Sequence, residues 1–266
     1  MIGAIVGDIV GSRFEWHNIK TKDFSLYNMQ CMFTDDSVMT LAVAKALLDC
    51  RERGYEGLSD CAVKAMQEVG QPYPNCGYGG MFRNWMYSEN PKPYGSFGNG
   101  AAMRVSACGF AAKTLEEAIS LSRQVTEVSH NHPEGLKGAE ATTVCIFLAK
   151  SGYSIPEIRD YVDKHYYPMN FTLDGIRDTY RFNETCQNTV PQAIMAFLES
   201  TSFEDAIRNA ISIGGDSDTL AAITGGMAEA YYGVPDEIRI RAQEFLDIPL
   251  LKILIEFERV YPASKT

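Results

Sequence analysis

The sequence predicts an all-α fold, a compact multi-helix domain, and three observations carry that expectation. Apolar residues recur at helical spacing in nine stretches, oxygen-bearing side chains stand where several of them begin, and no long alternating run is bounded by hairpin turns. No low-complexity linker interrupts the chain, so residues 1–266 are expected to form a single domain. A chain of this length can bury a sizeable core.

The first helical stretch, "SVMTLAVAKALLDC" (37–50), sets Val38, Leu41, Ala42 and Ala46 near a 3.6-residue period. The others follow at 58–70, 114–128, 135–150, 154–166, 190–200, 202–212, 218–233 and 250–261. Thr114 with Glu117, and Ser202 with Asp205, each place an oxygen at N-cap and an acid three residues later. The stretches opened by "TLEEAIS" and "SFEDAIR" echo one another, and each leads into a polar loop, "SHNH" (129–132) and "GGDSDT" (214–219). That echo suggests two helices aimed at one site. Glycine gathers outside ordinary helix interiors, in "GDIVGSRFE", "NCGYGGMF", "SFGNGAAMR", "SHNHPEG" and "SIGGDSDT". Such a layout places chemistry in loops at helix ends.

Composition narrows the class. Hydrophobic residues make up 45% and charged residues 22%, the balance of a soluble globular protein. No apolar run is long enough to span a bilayer, and the N-terminus has no basic lead before Asp8 and Arg13, so a cytoplasmic protein is expected. The formal net charge of -10 disfavours general nucleic-acid binding through phosphates. The 7 cysteines are scattered, odd in number and lack a CxxC pair, which argues against a disulfide framework and a thiolate zinc site.

Two acidic clusters stand at helix starts: Thr34, Asp35 and Asp36 in "FTDDS", and Asp216, Asp218 and Thr219 in "GGDSDT". Capping and the helix dipole account for one acid at each start, worth about 0.3–1 kcal/mol. They do not account for a second carboxylate beside the first. Together the clusters offer four carboxylates and two hydroxyls, the hard donors that Mg²⁺ or Mn²⁺ prefers. Two divalent ions would balance four negative charges, orient a substrate and activate a water.

Taken in order, "GDIVGSRFE", "FTDDS", "GNGAAMR", "HNHPEG" and "GGDSDTLAAITGGMAEAYYG" resemble the ADP-ribosylglycohydrolase family, whose namesake bacterial member removes ADP-ribose from dinitrogenase reductase. The likeness runs from residue 3 to about residue 235. It implies an all-α bundle with a dinuclear cleft at helix N-termini, holding two Mg²⁺ or Mn²⁺ through Thr34, Asp35, Asp36, Asp216, Asp218 and Thr219. It implies cleavage at the anomeric carbon of the terminal ribose, with ADP-ribosylated protein, nucleotide or metabolite as partner. Glu15 matches a glutamate that some branches use near the scissile bond, and is the candidate general acid or base; the bland alternative is an ion pair with Arg13 or another cation. Asp35 and Asp36 serve the chemistry as well, because an oxocarbenium-like transition state needs negative charge nearby.

Glycine loops present backbone N–H groups to a diphosphate. The resemblance gives Gly79, Gly80, Gly98, Asn99 and Gly100 to the phosphates and ribose, against a reading as ordinary turns. The second loop is expected to precede a helix N-terminus. His130 is favoured over His132 as a ligand contact, while Tyr78, Phe82 and Phe97 are candidates to stack on adenine or to fill the core. Tyr180 and Arg181 stand where they would edge the cleft. Two alternatives remain open at this level: a non-catalytic ADP-ribose-binding member, and another two-metal hydrolase acting on phosphate esters or nucleosides.

Overall fold

A computed structural model of the protein describes residues 1–263. Fourteen α-helices form among them: α1 (Ile2–Gly11), α2 (Asp35–Cys50), α3 (Leu58–Gly70), α4 (Gly80–Met86), α5 (Ser106–Ala111), α6 (Leu115–Thr126), α7 (Pro133–Lys150), α8 (Ile155–His165), α9 (Leu173–Ile176), α10 (Cys186–Leu198), α11 (Phe203–Ser212), α12 (Ser217–Tyr232), α13 (Asp236–Gln243) and α14 (Ile248–Val260). One isolated antiparallel bridge, Gly98 with Thr185, is the sole β pairing among the described residues. The all-α expectation holds.

All nine expected helices form. Thr114 Oγ1 accepts from Glu117 N at 3.1 Å and Ser202 Oγ from Asp205 N at 3.1 Å, so both caps act as their spacing predicts. Five helices are absent from that reading. α4, α5 and α9 are too short to show a period, and α13 is mostly polar. α1 is hidden for another reason: every residue from Ile2 to Gly11 is buried, so it has no polar face to alternate with.

Helix α12 runs through the centre, buried at each position from Ser217 to Glu229 and packed on α1, α7, α10 and α11. Its contact with α1 is made by backbones. Gly3, Gly7 and Gly11 recur every fourth residue on one face of α1, where a Cβ at Gly7 would overlap the Ala221 carbonyl and one at Gly11 would lie 2.5 Å from Asp218 Cα. Gly225 meets the Gly3 carbonyl in the same way from α12. These glycines lie inside helices, which corrects the expectation that "GDIVGS" is a loop. The close approach carries the start of α12 to the end of α1, and α2 packs on both.

Cysteine usage needs one correction. Cys50 and Cys61 form a disulfide across the α2–α3 connection, where a left-handed turn at Gly54 brings the helix ends together. The others are free, with Cys31, Cys108, Cys145 and Cys186 buried and Cys76 half-buried. No described helix is long and apolar enough to cross a membrane.

Gly7→Ala forces α1 off α12. Urea denaturation is expected to show a loss of about 1–3 kcal/mol or more, the range of overpacking. Gly80→Ala, with nothing within 4 Å of the added carbon, leaves stability within about 0.5 kcal/mol.

Candidate metal centre and ligand cleft

Asp8 is the residue around which the first acidic cluster is built. It is fully buried on α1 and collects four donors: Thr34 N (2.9 Å), Thr34 Oγ1 (2.6 Å), Ser37 N (3.1 Å) and the Ser37 hydroxyl. Those groups belong to the cap and first turn of α2. Asp8 therefore fixes where Asp35 and Asp36 stand, while Thr34 Oγ1 also accepts from Asp36 N at 3.3 Å.

The second cluster depends on backbone geometry. Gly214 and Gly215 take φ of +66° and +82°, left-handed values that side-chain-bearing residues resist, and turn the chain into α12. The amide of Asn18 clasps this turn from both sides, accepting from Gly215 N (2.7 Å) and donating to Gly215 O (2.8 Å). Asn99 Nδ2 donates to Asp216 Oδ2 at 2.6 Å.

The two clusters meet. Thr219 Oγ1 donates to Asp36 Oδ2 at 3.2 Å, across 183 residues of sequence. Carboxylate oxygens of Asp8, Asp36 and Asp218 lie within 4.8 Å of one another, and so do those of Glu15, Asp216 and Asp218. Asp218 is common to both groups. Asp35 opens onto the same space as Glu15.

No Lys or Arg forms an ion pair with any of these acids among the described residues. Arg13 lies over the Phe14 ring and donates to the Ser25 carbonyl, so the bland role for Glu15 fails. Burial first, and then the charges of Asp8 and Asp216 among its neighbours, raises Asp35 to about 8. Burial and the charges of Asp216 and Asp8 raise Glu15 to about 7. Burial and neighbouring acids push Asp36 and Asp218 well above the ordinary range. Asp36 Oδ1 is buried without a hydrogen-bond partner. An all-oxygen donor set with mutual repulsion and an orphaned carboxylate oxygen fits hard divalent cations.

The acids line one side of a cavity of about 460 Å³. Glu15, Asp35, Asp36, Asp216, Asp218 and Thr219 border it, and so do Gly79, Gly80, Gly98, Asn99, Gly100 and His130. Nothing lies within 4 Å of where a Cβ would stand at Gly79 or Gly80. Thr34 is the exception: it is buried behind this wall, with its hydroxyl on Asp8. "FGNGAAM" contains a 3-10 turn, Asn99–Ala101, and precedes α5, which starts at Ser106.

His130 is buried beside the Phe82 and Tyr94 rings, whereas His132 caps α7, accepting from Glu134 N at 3.1 Å. Phe82 borders the cavity; Tyr78 and Phe97 do not. Tyr180 packs on Gly215 and Arg181 bonds to nearby carbonyls, so neither reaches the cavity lining. The sequence reading did not pick out Asp8, Asn18, Arg104, Phe182 or Glu184. Asp8 and Arg104 sit inside the motifs "GDIVGS" and "GNGAAMR"; nothing in the sequence marks the other three.

Two outcomes are expected. Asp8→Asn leaves donors facing an amide NH₂, which should lower manganese affinity by about 10–100-fold in a calorimetric titration. Burial, and then the Arg104 charge, hold His130 well below its ordinary value, so it is neutral when folded. The unfolded imidazole binds its proton at about 6.5, so between that pH and the folded value the unfolded state carries more protons. Stability is then full above about pH 6.5 and falls as pH drops, at up to about 1.4 kcal/mol per pH unit. His130→Gln should remove that part of the slope in denaturation curves at pH 5 and pH 7.

Comparison with known proteins accords with the site. A family model for ADP-ribosylglycohydrolase matches residues 1–259. The ADP-ribosylhydrolase ARH3 of Xenopus tropicalis is 24% identical, over 93% of this chain and 91% of its own. The ADP-ribosyl-[dinitrogen reductase] glycohydrolase of Rhodospirillum rubrum is 25% identical, over 88% of this chain and 85% of its own. The ADP-ribosylarginine hydrolase Tri1 of Pseudomonas putida is 23% identical over 88% of this chain and 70% of its own. A solved chain from an ADP-ribosylglycohydrolase-related protein complex shares the fold, with a TM-score of 0.72 at 21% identity over 98% of this chain and 95% of that one. The protein belongs to the ADP-ribosylglycohydrolase family.

Proposed function

We propose that the protein, working as one domain in the cytoplasm, hydrolyses the glycosidic bond at the terminal ribose of an ADP-ribosylated protein, nucleotide or metabolite and releases ADP-ribose. The observation that carries this reading is the convergence of two carboxylate groups on the shared Asp218, beside a glycine-walled cavity large enough for a nucleotide. Two Mg²⁺ or Mn²⁺ are assigned to Asp35, Asp36, Asp216, Asp218, Thr219 and the neighbourhood of Thr34, with Asp8 orienting the α2 side. Divalent ions held by these residues would supply Lewis acidity toward ribose hydroxyls and water.

The chain's own groups do the rest. A carboxylate oxygen of Glu15 lies within 4.8 Å of those of Asp216 and Asp218, and a carboxyl there is positioned for proton transfer at the ribose. It is placed to take the proton of the attacking water at a carboxylate oxygen. Asp35 and Asp36 supply negative charge beside the ribose carbon as positive charge develops there. Gly79, Gly80, Gly98, Asn99 and Gly100 border the part of the cavity assigned to the diphosphate and adjoining ribose, and Phe82 lies beside them.

The test is ADP-ribose release from ADP-ribosyl-arginine, ADP-ribosyl-serine and O-acetyl-ADP-ribose, with Mg²⁺, with Mn²⁺ and after chelation. Turnover is expected only with metal. Asp36→Asn and Asp218→Asn should abolish it with the circular dichroism of the fold retained, and Glu15→Gln should slow it by about 10²–10⁴-fold. Full activity after chelation, or release of inorganic phosphate without ADP-ribose, overturns the reading.

A further inference from the structure

Arg104 is fully buried and has no carboxylate partner among the described residues, although it borders the cavity. Its guanidinium lies 5.4 Å from the centre of the Phe82 ring. Its Nη2 donates to Ser129 Oγ at 2.7 Å, with longer approaches to the Val125 and Thr126 carbonyls. Ser129 Oγ is in turn 2.9 Å from His130 Nδ1.

Proton counting orders this chain. A guanidinium only donates, so Ser129 Oγ accepts from Arg104. The serine has one proton, is fully buried, and has no acceptor for it other than His130 Nδ1 among the described residues. If Nδ1 carried the ring proton, that hydroxyl hydrogen would be buried without an acceptor, an arrangement folded proteins avoid. The hydroxyl therefore donates to Nδ1, and the ring proton sits on Nε2. The neutral state of the ring, set by burial and the Arg104 charge, leaves it one proton to place.

Nε2 points at the glycine loop: it is 3.3 Å from where a Cβ would stand at Gly100 and 3.8 Å from that at Gly98. Both glycines border the cavity, and Nε2 has no hydrogen-bond partner among the described residues. The ring is held from the sides by Phe82 and Tyr94, with centroids 6.1 Å and 5.6 Å away.

We propose that Arg104 and Ser129 are positioning residues: their hydrogen-bond relay fixes His130 as the Nε2–H tautomer and presents that N–H to an acceptor oxygen of the ligand. The acceptor fitting this wall is a phosphate or ribose oxygen of a nucleotide diphosphate. That identification rests on the ADP-ribose reading above; the tautomer does not.

The experiment is a long-range ¹H–¹⁵N spectrum of the histidine rings, of which the chain has 4, with and without ADP-ribose, beside a calorimetric titration of ADP-ribose. The wild-type ligand-free protein is expected to show His130 with an unprotonated Nδ1 and a protonated Nε2, and the Nε2 proton should move downfield on ligand addition. Ser129→Ala should mix the two tautomers and weaken ADP-ribose about tenfold, the loss of one hydrogen bond, with manganese affinity unchanged. A protonated Nδ1 in the wild type overturns the relay, and so does a Ser129→Ala protein with unaltered tautomer and affinity. If Ser129→Ala does not fold, the wild-type spectrum decides alone. Wild-type protein that shows the expected tautomer but does not bind ADP-ribose sinks the substrate reading and leaves the relay standing.

Discussion

The contact on which this molecule depends is the backbone approach of α1 and α12, permitted by glycine at positions 3, 7 and 11. Two helices far apart in sequence lie closer than side chains would allow. Asp8 and Asp218, one near the end of α1 and the other at the start of α12, are thereby brought within reach of the same oxygen cluster. Helix α2 joins through Asp8, which gathers its cap and first turn. The acidic site follows from how three helix ends are stacked. No flexible loop is needed to assemble it.

That stacking concentrates negative charge where water is largely excluded, an arrangement costly by itself. The surrounding structure is built to hold it regardless. Asn99 bonds Asp216, Thr219 bonds Asp36, and four donors converge on Asp8. The other oxygen of Asp36, Oδ1, is buried without a hydrogen-bond partner. Partial satisfaction of this kind suits a cation: the framework groups are tied while a buried carboxylate oxygen is left over.

Much of this was readable in the sequence. Amphipathic helices such as α3 and α11 announce themselves by period, and the paired acids in "FTDDS" and "GGDSDT" stand out because capping needs only one. The unreadable parts share a cause. α1 carries no alternation because it is buried on all sides, and its glycines look like loop signals until the partner helix is seen. Asp8 lies within a motif, yet its role comes from contacts with residues 26 and 29 positions away. Arg104 sits in an apolar run where a charge has no local explanation. Thr34 was legible as a cap, but its hydroxyl is spent on Asp8. Phe182 and Glu184 border the cavity from a segment held by tertiary contacts, Phe182 on Trp16 and the Glu184 carbonyl on Asn99 N. Local pattern reveals helices and clustered acids; it does not reveal what a tertiary neighbour demands of a residue.

The clasp formed by Asn18 has a mechanical meaning. Its amide grips Gly215 at two points, as one strand grips another, while the same Nδ2 reaches the Phe14 and Glu15 carbonyls. The segment bearing Glu15 and the turn bearing Asp216 are thus riveted into one piece. A displacement large enough to swing Glu15 away would either drag Asp216 with it or break both hydrogen bonds to Gly215. The carboxyl of Glu15 and the acidic turn hang from a single clasp, so the spacing between them is set by one side chain rather than by two independent segments.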